Sequence, residues 1–223
     1  PLMLLLGPFI GALAAGNTVV LKPSEYAAAT SALIHRMIGS GFESADALVV
    51  EGDGAVVVPE MMNSFTFGHV FFTGGTLVGQ RIYEMAAKKL VPVTLELGGK
   101  SPCVVEADAN ITVAARRITL TKFSNAGQMC IAPDYLLVHE SVKDKLVKAI
   151  REALVQFFGD NAIDSENFGR IINDRQFERL QSYLQQGDIL QGGETNAAQR
   201  YIAPTLLGNL QPGAAVMKEE IFG

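Results

Sequence analysis

The chain has 223 residues, of which 48% are hydrophobic and 18% charged, and its formal net charge is −5. This composition is typical of a globular protein with a large core and excludes a disordered or fibrous chain. The acidic balance gives no basic surface, so we expect no nucleic-acid partner. Two cysteines are too few for a disulfide framework and favour a reducing, cytoplasmic location, and the three scattered histidines lead us to expect no metal site.

The first 21 residues contain no charged side chain, which is long enough to suggest a transmembrane helix. Pro8 and several glycines interrupt this stretch, and Gly16-Asn17 predicts a turn between a helix and a short strand. There is no charged region of the kind that begins a signal peptide. We therefore expect no membrane association encoded in this segment. The apolar start and the abrupt end at EEIFG lead us to expect a fragment of a longer protein.

Strands and helices alternate along the first hundred residues. Each predicted strand is a short apolar run bounded by turn residues, as buried parallel strands are. We predict strands over 18–22, 47–50, 69–75 and 91–97, and helices from Pro23 and over 76–90. This alternation predicts an α/β fold with a parallel sheet covered on both faces.

The second half continues the alternation with longer helices. We predict strands over 103–106, 135–140 and 201–207, and helices over about 110–123, 141–159 and 174–186. The helix over 141–159 has an apolar stripe at helical spacing, and Gly159 suits the position that follows a helix. Near residues 98–100 we predict a boundary between two domains, 1–98 and 99–223.

The glycine-rich stretch FTGGTLVG, residues 72–79, joins a predicted strand to a predicted helix. Backbone N–H groups at such a junction can hold a pyrophosphate, with the helix dipole behind them. The glycines fall at 74, 75 and 79, which is not the G-x-G-x-x-G spacing, so a plain glycine turn explains the run equally well. The later GGKS at 98–101 is not a P-loop, because Thr94 stands where that motif needs glycine.

Lys22 and Glu25, in LKPSE, lie at the exit of a predicted parallel strand, the edge where open α/β sheets bind ligands. An ammonium and a carboxylate there could grip the vicinal hydroxyls of a ribose. A helix start explains Pro23 and Glu25 equally well, but it does not explain Lys22.

Glu96 lies within the apolar run VPVTLELGG. A carboxylate buried in a strand is costly unless it is paired or its pKa is raised, which is the condition of a general base. The alternative is a solvated side chain at the open end of the strand.

Cys130 follows the turn-prone run SNAG and precedes Ala132-Pro133. Broken regular structure leaves backbone amides near the sulfur that can support a thiolate and an oxyanion. A free cysteine is more often a small buried hydrophobe, and Cys103, in a predicted strand, fits that interpretation. The setting of Cys130 leaves both interpretations open.

Together these stretches resemble the aldehyde dehydrogenase superfamily. The resemblance rests on AAGNTVVLKPSE, FTGGTLVG, VTLELGGKSP, FSNAGQMC and the terminal EEIFG, and it covers essentially the whole chain. The separation of 34 residues between Glu96 and Cys130 matches that between the family's base and nucleophile. The run GQMCIAPDYLLV is most similar to the class-3 branch, which acts on medium-chain, fatty and aromatic aldehydes. The fold implied is a parallel Rossmann-like coenzyme-binding sheet plus an α/β catalytic domain, both truncated.

The resemblance implies a role for individual residues. Cys130 would be the nucleophile and Glu96 the general base, and the parent protein would oxidise an aldehyde to the carboxylic acid with NAD, or NADP, through a thiohemiacetal and a thioester. The coenzyme would be held by Lys22, Glu25, Gly74, Gly75, Thr76, Gly79, Glu220 and Phe222. Gly75 departs from the family, which often has Ser or Asn there. Glu25 favours NAD, because a carboxylate repels a 2′-phosphate.

Three further expectations concern the parent protein. The resemblance implies a homodimer. It also implies an oxyanion-hole Asn two residues before the position of Pro1, outside the 223 residues, so we expect the parent to be active and this chain alone to be inactive. Rival interpretations are a non-catalytic scaffold of the same fold, a coenzyme A-dependent or acyl-phosphate-forming relative, which typically lacks the carboxylate at the position of Glu96, and a two-cysteine redox switch.

Overall fold

The computed structural model describes residues 2–223, in two units that divide between Leu97 and Gly98. The domain boundary expected from the sequence falls one residue later. The coenzyme-binding role of the first part and the catalytic role of the second stay predictions. The two units are described separately below.

The first unit alternates helices with short strands. Its elements are α1 (Leu2–Ala14), β1 (Val19–Leu21), α2 (Ala28–Gly41), β2 (Ala47–Val49), α3 (Gly54–Ser64), β3 (Val70–Thr73), α4 (Thr76–Ala87) and β4 (Val93–Glu96). α3 was not predicted from the sequence, because Gly54 begins the helix and Pro59 lies inside it. The side chain of Asp53 offsets this weakness by accepting a hydrogen bond from the Ala55 N–H at 2.8 Å, a standard N-cap.

All the strand pairs of the first unit are parallel, so the predicted α/β class is confirmed. β1 pairs with β2, and β3 pairs with β4 in a register that sets Thr73 opposite Glu96. The four strands form two separate pairs rather than the single sheet that the sequence suggested. Because parallel strands end at the same edge, each pair brings two loops together at its carboxyl end.

The apolar first helix packs against the first strand pair. Phe9 of α1 is buried together with Leu21, Ile34 and Val49. The helix has 13 residues, too few to cross a hydrocarbon layer. Within residues 2–223, no helix combines the length and apolar character that a membrane span requires.

The second unit joins one parallel strand pair to a helical layer and two antiparallel ribbons. Its elements are β5 (Pro102–Val105), α5 (Ile111–Phe123), β6 (Tyr135–Val138), α6 (Lys143–Phe158), α7 (Asp174–Tyr183), β7 (Asp188–Gln191), β8 (Thr195–Asn196), β9 (Tyr201–Ile202) and β10 (Leu206–Gly208). β5 and β6 are parallel, whereas β7 pairs with β10 and β8 with β9 in antiparallel fashion. The helix predicted over 174–186 ends at Tyr183.

The single strand predicted over 201–207 is wrong. Two strands occupy this stretch, and Pro204, which lies between them, has no N–H to donate to a ladder. The first strand pairs with β8 and the second with β7, so the break at Pro204 allows one stretch of chain to serve two ribbons.

The core of the second unit lies between α5 and α6. The predicted stripe of α6 is buried at Leu146, Ile150, Leu154 and Phe158, whereas Val155 is exposed. Thr119 of α5 is completely buried, and its Oγ1 has no hydrogen-bond partner among the described residues. An unpaired buried hydroxyl costs free energy.

Replacing this hydroxyl should therefore stabilise the second unit. Thr119→Val keeps the shape of the side chain, and we expect it to raise the free energy of unfolding by about 1 kcal/mol. Thr119→Ser keeps the hydroxyl and removes the methyl group, so it should lower the same quantity by about 1 kcal/mol. Urea unfolding measures both. A Val variant that is less stable than the parent would contradict the assignment of an unpaired hydroxyl.

Candidate functional site

Lys22 and Glu25 meet at the carboxyl end of the first strand pair. Their side chains form an ion pair and are 14% and 33% exposed. The Glu25 Oε1 also accepts a hydrogen bond of 3.3 Å from the N–H of Gly54, the first residue of α3. Burial would raise the pKa of Glu25, but the hydrogen bonds from Lys22 and from backbone amides outweigh it and lower the pKa below its ordinary value. Glu25 is thus held as an anion at this edge.

Sequence reasoning missed Gly54 as a member of this group. A Cβ at this position would lie 3.4 Å from the Lys22 Nζ and 3.5 Å from the Glu25 Oε1, so the absence of a side chain lets the ion pair approach the helix start. The signal was the Asp-Gly pair at 53–54 just after an apolar strand, a pattern that favours a turn or a helix start.

The glycine-rich junction lies at the carboxyl end of the second strand pair. A Cβ at Gly74 would be 2.5 Å from the Phe72 ring, and one at Gly79 would be 2.6 Å from Leu97. A side chain at either position would therefore have to displace the Phe72 ring or the Leu97 side chain. Gly75, the N-cap of α4, has open space at its Cβ position, so it leaves the start of the helix and the Thr76 amide uncovered.

Glu96 ends β4 beside the same junction. Its carbonyl accepts a hydrogen bond of 3.0 Å from the Gly74 N–H, which ties the glycine turn to the strand end. The side chain of Glu96 is exposed. Of the two interpretations drawn from the sequence, the solvated carboxylate at the open strand end describes this position, and the buried carboxylate is wrong.

Cys130 lies in the second unit, in the loop after α5, residues 124–133, which we call the Cys130 loop. The residue is half-buried and follows three residues with left-handed backbone, Asn125, Ala126 and Gly127. Among the residues that the structure describes, the Cys130 N–H donates to no backbone carbonyl. Cys103, by contrast, contributes to the core from within β5, and burial raises the pKa of its thiol.

The last five residues of the chain, 219–223, which we call the EEIFG segment, are held by side chains from distant parts of the second unit. Lys100 pairs with Asp134 and donates to the carbonyls of Val216 at 2.7 Å and Glu219 at 3.0 Å. The other Asp134 oxygen accepts from the Ile221 N–H at 2.9 Å. These long-range contacts gave no periodic signal in the sequence.

Arg179 of α7 adds a second set of contacts to the EEIFG segment. Its guanidinium donates to the carbonyls of Glu220 at 3.2 Å and Ile221 at 2.6 Å. The same group donates to the Tyr183 hydroxyl at 2.8 Å, which in turn donates to Glu219. The backbone on both sides of the Glu220 side chain is therefore fixed.

Glu220 has an unsatisfied carboxylate oxygen. Its Oε1 is buried with no hydrogen-bond partner in residues 2–223. Burial is the largest cause that raises the pKa of Glu220 above its ordinary value, and the charge of Asp134 adds to it. A hydrogen bond from the Gly99 amide and the positive charges of Arg179 and Lys122 act in the opposite direction. The Oε1 therefore lacks a hydrogen-bond donor, which an ordered water or a ligand can supply.

The Cys130 loop touches the end of the EEIFG segment. A Cβ at Gly127 would lie 2.4 Å from the Gly223 carbonyl oxygen, so only glycine fits there. Phe222 is 41% exposed and has a left-handed φ of 49°. The Cys130 loop and the EEIFG segment therefore meet at Gly127 and Gly223.

The predicted site residues fall into two groups by unit. The first unit joins Lys22 to Glu25, and separately joins the glycine turn to Glu96. The second unit carries Cys130, Glu220 and Phe222. The convergence of Glu96 with Cys130 stays a prediction. Within residues 2–223, no cluster of three or more His, Cys, Asp or Glu side chains could hold a metal ion.

Comparison with curated proteins finds close relatives along the whole chain. The chain is 46% identical over 225 residues to a 4,4′-diaponeurosporen-aldehyde dehydrogenase from Staphylococcus aureus, covering 100% of this chain and 49% of that protein. It is 44% identical over 223 residues to a dimeric, NADP-preferring aldehyde dehydrogenase from Rattus norvegicus, again covering 100% and 49%. The chain therefore spans about half the length of the curated relatives that it matches.

Solved structures give the same result. The substrate-bound state of Staphylococcus aureus AldH superposes with a TM-score of 0.90 at 46% identity, over 97% of this chain and 47% of that one. An indole-3-acetaldehyde dehydrogenase complexed with NAD+ superposes with a TM-score of 0.85 at 31% identity, over 99% and 46%. The model of the aldehyde dehydrogenase family matches residues 1–223. The chain belongs to the aldehyde dehydrogenase family.

Proposed function

We propose that the whole protein oxidises an aldehyde to the carboxylic acid with NAD(P)+. The observation that carries this proposal is the match of the aldehyde dehydrogenase family model over residues 1–223. Glu96 in VTLELGG and Cys130 in FSNAGQMC lie in stretches that resemble the family's base and nucleophile motifs. A non-catalytic scaffold would need neither residue. The fold class and the family support the same function.

Cys130 would act as the nucleophile. Its thiolate adds to the aldehyde carbon, a C–S bond forms, and the carbonyl oxygen becomes an oxyanion that hydrogen-bond donors must stabilise. The Cys130 N–H, which donates to no backbone carbonyl in residues 2–223, is one available donor. Loss of hydride from the same carbon then gives a thioester. Sulfur suits both steps, because a thiol ionises more readily than a hydroxyl and a thioester is more readily hydrolysed than an ester.

Glu96 would activate the water that ends the reaction. Its carboxylate takes a proton from water as the water oxygen attacks the thioester carbonyl. The C–S bond then breaks, which releases the carboxylic acid and restores the Cys130 thiolate. Glu96 is exposed at the end of β4, which leaves its carboxylate accessible to water. A relative that transfers the acyl group to coenzyme A or phosphate would have no use for this carboxylate.

Each unit carries residues that would suit one part of a dinucleotide. Lys22 and Glu25 offer a cation and an anion for the adenosine ribose, and the turn from Gly74 to Gly79, with Thr76 at the helix start, offers amides for the pyrophosphate. The unpartnered, buried Oε1 of Glu220 would accept a hydrogen bond from a hydroxyl of the nicotinamide ribose. Phe222, two positions later in the sequence, has an exposed ring that would pack beside this ribose. NAD(P)+, when bound, accepts the hydride.

We further propose that NAD is preferred, with NADP as the alternative. Glu25 is the only basis in this chain for the preference, since its carboxylate would repel a 2′-phosphate. The relatives include an NADP-preferring enzyme and a structure with NAD+, so the family accommodates both.

The remaining proposals concern substrate, assembly and location. We propose an apolar aldehyde substrate, because one relative is named for a diaponeurosporen aldehyde and the chain resembles the class-3 branch. A homodimer is proposed from the relative that is named dimeric. A reducing, cytoplasmic location is proposed from the two free thiols, Cys103 and Cys130.

Separate substitutions of the nucleophile and the base should arrest different steps. In the whole protein, Cys130→Ser should lower kcat by roughly a thousandfold or more, with loss of any NADH burst. Glu96→Gln should retain a burst of one NADH per site and slow the steady state by about a hundredfold or more. Stopped-flow absorbance measures both phases.

Matched controls are Cys103→Ser and Glu60→Gln, which change the same chemical groups elsewhere. Both should retain the turnover of the parent enzyme. Full turnover by Cys130→Ser would refute the role of Cys130, and a Glu96→Gln variant without a burst would refute the role of Glu96.

The charge at position 25 should set the coenzyme preference. Glu25→Gln removes the anion and keeps the shape, so the ratio of kcat/KM with NADP to that with NAD should rise by about tenfold. Glu43→Gln, an exposed residue of the same unit, is the control and should leave the ratio unchanged. Steady-state kinetics with both coenzymes decide the question, and an unchanged ratio in Glu25→Gln would remove Glu25 from coenzyme selection.

A further inference from the structure

Gln128, two residues before Cys130, makes three hydrogen bonds with its carboxamide. The Nε2 donates to the carbonyls of Asn125 and Arg170, each at 3.0 Å. The Oε1 accepts from the Ile172 N–H at 2.9 Å. In a parallel sheet, one residue donates its N–H to a carbonyl of the neighbouring strand and accepts from the N–H two residues further along that strand. The Gln128 carboxamide makes the same pair of bonds with the carbonyl of residue 170 and the N–H of residue 172. The Gln128 side chain therefore takes the place of a neighbouring strand residue opposite Ile171.

The segment to which Gln128 binds is itself firmly held. Ile171 is 3% exposed, and its N–H donates to the Arg200 carbonyl at 3.0 Å. The Arg170 guanidinium donates to the carbonyls of Phe168 and Ile163 and lies over the ring of Tyr201 at 5.2 Å. The Gln128 carboxamide thus connects the Cys130 loop to a fixed support more than 40 residues away in sequence.

The loop needs such a support because its backbone is strained. Asn125 and Ala126 both have φ of 52°, and Gly127 has φ of 78°. Each left-handed residue other than glycine costs roughly 1–2 kcal/mol, and asparagine tolerates the region better than alanine. Strained residues persist only where surrounding contacts determine them. The Asn125 side chain contributes one contact, because its Nδ2 donates to the backbone carbonyl of Gln128 at 3.1 Å. This restraint on Asn125 therefore also depends on the position of Gln128.

We propose that Gln128 is a positioning residue that sets the place and reactivity of the Cys130 sulfur. The proposal rests on the proposed role of Cys130 as the nucleophile. Gln128 touches neither substrate nor coenzyme in this scheme. It acts by holding the loop whose next turn carries the thiol and the Cys130 N–H, and a displacement of about 1 Å at such a position can cost about a hundredfold in rate.

Two variants of the whole protein test the proposal. Gln128→Met keeps the length of the side chain and removes all three hydrogen bonds. Gln128→Glu keeps the shape and the bond from the Ile172 N–H, but when ionised it loses both donors and faces two carbonyl oxygens. Gln181→Met is the matched control, since it removes a single long hydrogen bond to Thr195 on the exposed side of α7.

We expect Gln128→Met to lower kcat by about tenfold or more while KM for the coenzyme stays within about twofold of the parent value. Alkylation of Cys130 by iodoacetamide should slow by about threefold or more relative to Cys103 in the same molecule, because the amides near the sulfur lose their fixed place. Gln128→Glu should recover activity relative to the parent as the pH falls toward about 5.5, where a protonated carboxyl donates one hydrogen bond again. If Gln128→Met does not fold, Gln128→Glu and its pH profile carry the test.

Two results would overturn the proposal. One is a Gln128→Met variant with the kcat and the alkylation ratio of Gln181→Met. The other is a loss of activity that follows the fraction unfolded and disappears on cooling, since a merely structural role would act only through stability. The alkylation ratio needs no turnover, so it tests Gln128 even if the parent protein fails to oxidise aldehydes, which would reject the proposed function instead.

Discussion

The candidate site depends on one constraint, the left-handed turn between α5 and Cys130. The chain must leave a helix and place a thiol within a few residues, and it does so through Asn125, Ala126 and Gly127, all with positive φ. Such a turn does not hold itself, because each non-glycine residue in this region is strained. Hydrogen bonds from Gln128 and the close approach of Gly223 to Gly127 supply the restraint.

The second constraint is the fixed backbone of the EEIFG segment. Lys100, Asp134 and Arg179 bind the carbonyls of residues 219, 220 and 221 and the N–H of residue 221. The Glu220 Oε1 has no partner within residues 2–223. A buried carboxylate oxygen without a partner calls for a hydrogen-bond donor, such as an ordered water or a ligand hydroxyl. In the proposed function that donor is a ribose hydroxyl.

The turn residues and the ends of apolar runs predicted where the candidate residues lie along the chain. They predicted less well which groups surround those residues. Lys22 and Glu96 follow or end short apolar runs, so their location at strand ends was readable from pattern alone. The α3 helix was missed, because Gly54 and Pro59 are weak helix formers and the Asp53 cap is a local detail. The strand predicted over 201–207 is interrupted at Pro204, because proline has no N–H to donate to a strand ladder.

Long-range partners could not be read from the sequence at all. Gln128 lies in the motif FSNAGQMC, but that motif does not indicate its partners, residues 170 and 172. Arg179, which binds the carbonyls of residues 220 and 221, shows no periodic or motif signal. The same applies to Gly74 and Gly79, where the sequence suggested backbone access and the structure adds close packing against the side chains of Phe72 and Leu97. Identity of a residue indicates its chemistry, but the partner depends on the fold.

The central claim is that an acyl group becomes bonded to the Cys130 sulfur and that Glu96 removes it. The most direct measurement is peptide mass spectrometry of the whole protein carrying Glu96→Gln, quenched in acid after mixing with an aldehyde and NAD+. We expect the peptide that contains Cys130 to carry the added mass of the acyl group, and to carry no added mass when NAD+ is omitted. An unmodified Cys130 after one equivalent of NADH has formed, or the acyl group on Cys103, would contradict it.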